Sequence, residues 1–256
     1  MKETNQNVML NLEIDAASRV GLVRKNNEDM ILVGDRLVRN ETYQTCANIS
    51  DSHMYIIALA DGIGGHKAGE KASEIVLDSL RHKFSMPWGY LDACRFNEAA
   101  YYWLDHVSRY IAYHSKAEPI YSGMGTTLVG FAVNYNDLYW VNCGDSRIYL
   151  YRNNKLTQLS TDHSLNNILG NTSHNGIIVN CIGGGCDTSY LDLVEFHKSV
   201  SHGDTYMLCS DGLTDMLSDE DISHYLLDGA TADQLCQYAE DAGGYDNVSV
   251  CLVTVL

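Results

Sequence analysis

The chain contains no run of roughly eighteen or more apolar residues, so no segment reads as a membrane-spanning helix. Its polar start, Met1-Lys2-Glu3-Thr4-Asn5-Gln6-Asn7, is not followed by the apolar stretch of a signal peptide. Positive charge is scarce: 17 Lys and Arg stand against 33 Asp and Glu, for a net charge of −16. Nucleic acid and anionic membrane are thereby excluded as main partners, since both need a basic footprint. The 8 cysteines include no Cys-x-x-Cys pair and no zinc-like spacing. A reduced compartment and a soluble cytoplasmic protein are expected, with Cys143, Cys209 and Cys251 as small buried hydrophobes in apolar runs.

Several phosphate chemistries are missing as well. No cysteine is followed six positions later by arginine, as a thiolate phosphatase loop requires, and no Gly-Lys-Ser/Thr nucleotide cradle occurs. A Gly-x-Ser-x-Gly nucleophile elbow is absent too. Covalent catalysis has no evident nucleophile.

What is present is a set of acidic turns beside strand-like runs. Asp61-Gly62-Ile63-Gly64-Gly65-His66 follows the apolar run Met54 to Ala60, and it is joined by Asn27-Glu28-Asp29, Ser210-Asp211-Gly212 and Tyr245-Asp246-Asn247. Asp-Gly and Asp-Asn are ordinary turn dipeptides, so each alone is read as a turn. A sheet that brings all four to one edge makes a different demand. Two carboxylates about 5 Å apart repel by roughly 3 kcal/mol at an effective dielectric near 20. Some must protonate, or cations must sit among them. Clustered carboxylates with a glycine carbonyl are ligands for hard divalent cations, which points to magnesium or manganese. Such ions would also reverse the local sign for an anionic substrate.

The turns span residues 28 to 246, so one domain over 1–256 is expected. Strands are predicted at Met54 to Ala60, Thr126 to Val133, Leu138 to Cys143, Arg147 to Tyr151, Thr205 to Cys209 and Val248 to Val255. A helix is predicted after Gly69 from Ala72, Ile75, Val76 and Leu80, and a second from Phe96, Ala100, Trp103, Leu104, Val107 and Ile111. Shorter helices are predicted at Asp219 to Leu227 and Thr231 to Asp241, with Ser218 and Thr231 as N-caps. Gly34 to His53 and Thr161 to Asp187 read as long loops. Hairpin-linked strands in blocks, with helices in separate blocks, indicate an α+β fold. Arg24, four residues before Glu28, reads either as a surface cation paired with Glu28 or as a fork for phosphate. His66 and His163 stand alone and read as turn or core residues rather than metal ligands, although His66 is within reach of a role as proton donor.

With these residues in hand, the chain resembles the metal-dependent serine/threonine protein phosphatases of type 2C, in their bacterial form. The resemblance runs over nearly the whole length through ordered motifs. They are Arg24 to Asp29 (R-x-x-N-E-D), Ala60 to His66 (D-G-x-G-G-H), Gly123 to Thr127 (G-x-T-T), Asn142 to Tyr149 (G-D-S-R-x-Y), Thr161 to Ser164 (D-H-S), Ser210 to Asp215 (S-D-G-L-x-D) and Asp246 to Ser249 (D-N-V-S). It implies two stacked antiparallel β-sheets flanked by α-helices, with two Mg2+ or Mn2+ ions at one end. By position it implies that Asp61 bridges the ions, Gly62 offers its carbonyl, Asp211 and Asp246 hold one ion, and Glu28 serves the other. Asp29 is implied to orient a water held there, Arg24 to grip the substrate phosphate, and Asp145 and Asp215, with Asp211, to form a third, weaker metal position. The reaction implied is hydrolysis of phosphoserine and phosphothreonine by a metal-activated water. The implied partners are phosphoproteins and a cognate protein kinase, for a chain acting as a monomer.

Two departures from the family pattern stand out. Animal relatives carry a histidine directly after D-G, whereas Ile63 stands there, as is common for an apolar residue in bacterial members. The segment from Thr161 to Gly183, which corresponds to a flap over the site, is short and lacks the usual acidic helical stretch. A rival reading keeps the fold but makes the chain a phosphoprotein-binding regulatory module without turnover.

Overall fold

Strand-like runs that are apolar at successive positions need cover on both faces, and that need sets the architecture. In the computed structural model the described residues are 10–49, 54–64, 67–84, 91–135, 137–170, 177–186, 188–196 and 200–256. The chain forms β1 (Leu10–Arg19), β2 (Met30–Val33), β3 (Arg36–Val38), β4 (Thr42–Ile49), β5 (Met54–Ala60), β6 (Gly62–Ile63), α1 (Lys67–Phe84) and α2 (Ala93–Ala117). It continues through β7 (Gly125–Thr126), β8 (Leu128–Asn134), β9 (Asp137–Cys143), β10 (Arg147–Arg152), β11 (Lys155–Gln158), α3 (Leu165–Ile168), β12 (Ile182–Gly183) and β13 (Asp192–Glu195). The last elements are β14 (Thr205–Cys209), α4 (Asp211–Thr214), α5 (Asp219–Leu227), α6 (Ala232–Asp241) and β15 (Val248–Val255).

Two antiparallel sheets result, one ordered β11-β10-β14-β15-β1-β4 and the other β13-β9-β8-β5-β2-β3, with a small third sheet β12-β7-β6. Side chains alternate across each strand. Along β15, Cys251, Val253 and Val255 enter the core between the sheets, while Val248, Val250 and Leu252 face α4, α5 and α6. Along β5, Ile57 and Leu59 enter the same inter-sheet core, and Ile56, Ala58 and Ala60 pack beneath α1 and α2. The layering is helix, sheet, sheet, helix, as expected. Each buried aliphatic or aromatic side chain contributes about 1.5–3 kcal/mol relative to exposure, so covering both faces doubles what a strand gains.

The helices follow their predicted faces. All six residues assigned to the buried stripe of α2 are buried. Ser218 and Thr231 each cap their helix through a complete capping box, with Asp221 and Gln234 reaching back to the cap N–H. Helix α1 begins two residues before Gly69 rather than after it.

Two sequence expectations change. Gly34 to His53 is not a long loop: it contains β3 and β4, and residues 50–53 lie outside the described residues. Strand β4 is an edge strand paired only to β1, so one face stays in water and Gln44 and Asn48 belong there. Strand β1, which joins the edge strand β4 to β15, was not foreseen, because Glu13, Asp15 and three alanine or serine positions dilute its alternation. In the Thr161 to Asp187 stretch residues 171–176 and 187 lie outside the described residues, and the described part holds the single turn of α3 and the two residues of β12.

Candidate metal centre

The acidic turns sit where strands end, and buried hydroxyl and amide side chains fix them there. Asp61 follows β5, and its backbone is held on both sides: its N–H donates to Thr127 Oγ1 at 3.0 Å, and its carbonyl accepts from Thr127 N at 2.9 Å and from Thr126 Oγ1 at 2.8 Å. Thr127 Oγ1 also bonds Ser146 Oγ at 2.7 Å, which ties the Gly144-Asp145-Ser146 turn to the same point.

A second network joins the first and last turns. Glu28 N–H donates to Asn247 Oδ1 at 2.8 Å, and Asn247 Nδ2 donates to the carbonyls of Val20 and Asn26 at 2.9 Å each. Asp246 Oδ1 accepts from Asn247 N at 2.8 Å. Beneath them Ser210 Oγ donates to Asp29 Oδ2 at 2.7 Å and accepts from Ser249 N at 3.0 Å. That bond uses the Ser210 hydroxyl, so α4 begins at Asp211 with no side-chain cap from Ser210.

Glycines let the backbone close in around Glu28. A Cβ on Gly62 would lie 2.3 Å from the Gly69 carbonyl oxygen, and one on Gly69 would lie 1.9 Å from Glu28 Oε2. The Glu28 carboxylate, the start of β6 and the first turn of α1 are thus in direct contact. Gly69 weakens a helix interior intrinsically, by about 1 kcal/mol relative to alanine, and this contact explains why it is there.

The carboxylates feel one another. Burial, followed by Asp29, Asp211, Asp145 and Asp246, pushes the Asp61 carboxyl well above the usual range. Asp211 is raised likewise by burial and then by Asp145, Asp246, Asp215 and Asp29. Burial pushes Asp29 up to about 6 against the pull of Ser210, and it pushes Asp145 up to about 6 with help from Asp162 and Asp215. Asp29 Oδ1 and Asp145 Oδ1 are buried without a hydrogen-bond partner. Arg24 Nη2 holds Asp246 Oδ2 at 2.6 Å, and Glu28 and Asp211 add to the field that raises its pKa. Its partner is therefore Asp246, not the Glu28 of the surface-cation reading.

Asp61, Asp211, Asp246, Asp29 and Asp145 therefore share one site, with Glu28 and Gly62 at its edge and Asp215 as the exposed C-cap of α4. Among the described residues no three His, Cys, Asp or Glu side chains stand close enough together to hold a single metal ion. Hard oxygen donors with orphaned buried oxygens are nevertheless what magnesium or manganese requires, and the residues fit such ions. His66 lies outside the described residues.

Several supporting residues carried no role in the sequence reading: Asn27, Thr126, Thr127, Ser146, Ser210, Asn247 and Ser249. Their signal was position, since Thr126 and Thr127 lie in the Gly123 to Thr127 motif and the others lie inside or beside one of the acidic motifs. His163 is a buried structural residue, as expected: Gly144 N–H donates to its Nδ1 at 3.1 Å, which leaves Nε2–H to face Asp192 at 3.0 Å. Arg147 grips Asp162 through Nε and Nη2, so the start of the Thr161 to Gly183 segment is pinned to β10.

Comparison with known proteins agrees with this geometry. The sequence profile of protein phosphatase 2C matches residues 16–169. The serine/threonine protein phosphatase PstP of Mycobacterium tuberculosis is 35% identical over 97% of this chain, which spans 46% of that relative, about half its length. A Streptococcus agalactiae serine/threonine phosphatase structure superposes with a TM-score of 0.81 at 29% identity, covering 96% of this chain and 100% of that one. A PstP catalytic domain in complex with two manganese ions superposes with a TM-score of 0.74 at 33% identity, over 96% of this chain and 99% of that one. A matching profile over more than half the residues, and carboxylates gathered at the ends of two stacked sheets, lead to one conclusion: the chain belongs to the protein phosphatase 2C family.

Proposed function

We propose that this chain is a metal-dependent serine/threonine phosphoprotein phosphatase, hydrolysing phosphate monoesters without a covalent intermediate. The observation that carries the reading is the gathering of buried Asp61, Asp211, Asp29 and Asp145, each raised first by burial and then by neighbouring carboxylates, as in a site completed by cations. Asp61 and the Gly62 carbonyl, with Asp211, Asp246 and Glu28, are the ligands for two Mg2+ or Mn2+ ions. Asp145 and Asp215, with Asp211, supply a third position. The manganese-bound PstP domain supports the choice of ion. When bound, such ions neutralise phosphoryl charge and acidify water.

The chain's own groups do the positioning. Thr126 and Thr127 lock the Asp61 backbone, so the carboxylate does not drift from the β5 end. Arg24, half exposed at the lip, exchanges Asp246 for the substrate phosphate, which its planar fork suits. Asp29, buried behind the site and tethered by Ser210, orients the water held there. A net charge of −16 repels a phosphorylated protein at long range, so the bound ions set the sign that draws the phosphoryl group in.

The substrate class is proteins phosphorylated on serine or threonine. A protein kinase must make such an ester, so a cognate kinase is the expected partner. Residues 1–256 act as one catalytic unit, because Glu28 and Asp246 stand near opposite ends of the sequence. No described helix is long and apolar enough to cross a membrane. The scarcity of basic residues speaks against nucleic acid or an anionic membrane as a partner, and the reading carries with it a cytoplasmic monomer.

Manganese titration of the purified protein on a phosphoserine peptide tests the reading. Phosphate release that rises with manganese and disappears in Asp61→Asn is expected. Peptide binding without metal-stimulated release would favour the regulatory binding module instead.

A further inference from the structure

Cys181 and Cys186 lie outside the metal centre, yet their sulfurs approach to 3.2 Å. Gly183, Gly184 and Gly185 between them all adopt positive φ, at 80°, 61° and 86°, and this turns the chain back on itself. Cys186 N–H closes the turn onto the Gly183 carbonyl at 2.9 Å, and Gly184 N–H anchors it to Met124 at 2.8 Å. A Cβ on Gly184 would lie 2.8 Å from Cys181 Sγ, so the glycine also clears space for the sulfur. The other exposed thiols, Cys46 and Cys94, have no sulfur partner among the described contacts.

We propose that Cys181 and Cys186 are a redox modification site, closing to a disulfide under a hydroperoxide and reopening under thiols. A disulfide has its sulfurs about 2.05 Å apart, so a movement of about one ångström completes the bond. Cys186 is partly exposed and meets the oxidant first, whereas Cys181 is buried. The Cys186 thiolate attacks the hydroperoxide; an S–O bond forms, the O–O bond breaks and the reduced oxygen leaves as water or an alcohol. The Cys181 sulfur then attacks the Cys186 sulfenic sulfur; the S–S bond forms, and hydroxide leaves with the Cys181 proton as water. Two thiols lose two electrons and one hydroperoxide gains them. Burial shields Cys181 from the oxidant while its sulfur lies against Cys186, so the neighbouring sulfenic sulfur is its reaction partner.

The location gives the bond a consequence. Ile182 and Gly183 pair with Thr126 and Gly125, which pair in turn with Gly62 and Ile63 beside Asp61. Closing residues 181–186 therefore stiffens the end of the segment next to the third sheet, two pairings from the metal ligands.

Trypsin leaves both cysteines in one peptide, 156–198. After brief treatment of the purified protein with hydrogen peroxide and then iodoacetamide, that peptide should be lighter by two hydrogens and carry no alkyl group. Dithiothreitol should restore both labels. In Cys181→Ser the same treatment should leave Cys186 over-oxidised instead of cross-linked. A peptide 156–198 that keeps both labels while Cys46 and Cys94 oxidise would overturn the proposal. So would a cross-link to the peptide 117–147, which places Cys143 in the bond.

Discussion

Asp61 ionises against burial and against four neighbouring aspartates, and this crowding makes its removal informative. Asp61→Asn deletes one of the repelling charges while keeping its shape. The metal-free variant should unfold at a higher temperature than the metal-free parent, since about 1 kcal/mol moves the midpoint of a chain this size by about 2–4 °C. Manganese binding by calorimetry should be lost in the same variant. A midpoint that falls would mean that the Asp61 carboxylate stabilises the fold. Arg24 stands at the other end of the argument: it touches Asp246 in the resting chain and the phosphate in the proposed complex. Arg24→Ala should lower kcat/KM for a phosphopeptide by about 10- to 100-fold, the worth of one charged hydrogen bond of roughly 1.5–3 kcal/mol, and manganese affinity should not fall. Asp145 gives a pH signature. Its pKa rises from 3.8 to about 6 on folding, so the folded chain binds more protons and the contribution, present below pH 3.8, is lost as pH rises through 6. Between about pH 4 and pH 6.5, urea midpoints of metal-free Asp145→Asn should therefore decline less than those of the parent. Equal declines would refute the shift.

Among the elements, α1 shows how the centre overrides local preference. Gly69 lies in its first turns, where alanine would favour the helix by about 1 kcal/mol, yet the missing Cβ is what admits Glu28. Gly69→Ala should displace the Glu28 carboxylate and press on the Gly62 backbone, weakening manganese binding at least tenfold in calorimetry; unchanged affinity would remove Glu28 and the Gly62 carbonyl from the ligand set. The same competition explains which elements were legible beforehand. Strands β5, β14 and β15 coincide with their predicted limits because both of their faces are apolar and short turns bound them. Helices α5 and α6 were legible from Ser218 and Thr231, whose capping boxes are local chemistry. Strands β1 and β4 were not, because partner strands far along the chain supply their hydrogen bonds and one face of β4 stays in water.

Across the whole molecule, the site is a product of topology. Glu28 and Asn247 are separated by most of the sequence, and the β15-β1 pairing, with Arg19 opposite Val248, brings the loop after β1 beside the turn before β15. Acidic turns and their order were legible, and the four-layer arrangement was what the family resemblance implied. The choice of Asp246 as the resting partner of Arg24, and the serine and asparagine supports under Asp29 and Glu28, were not, because those bonds join residues more than one hundred positions apart. The central claim is that these distant acids become one cation site. Crystals of the wild-type protein grown with manganese, measured for anomalous scattering, test it most directly. Two strong peaks are expected, within about 2.0–2.5 Å of Asp61, Asp211 and Asp246 oxygens, the distance range of hard cations from oxygen ligands. Manganese peaks only elsewhere, or none at these carboxylates in crystals that cleave a phosphopeptide, would contradict the account.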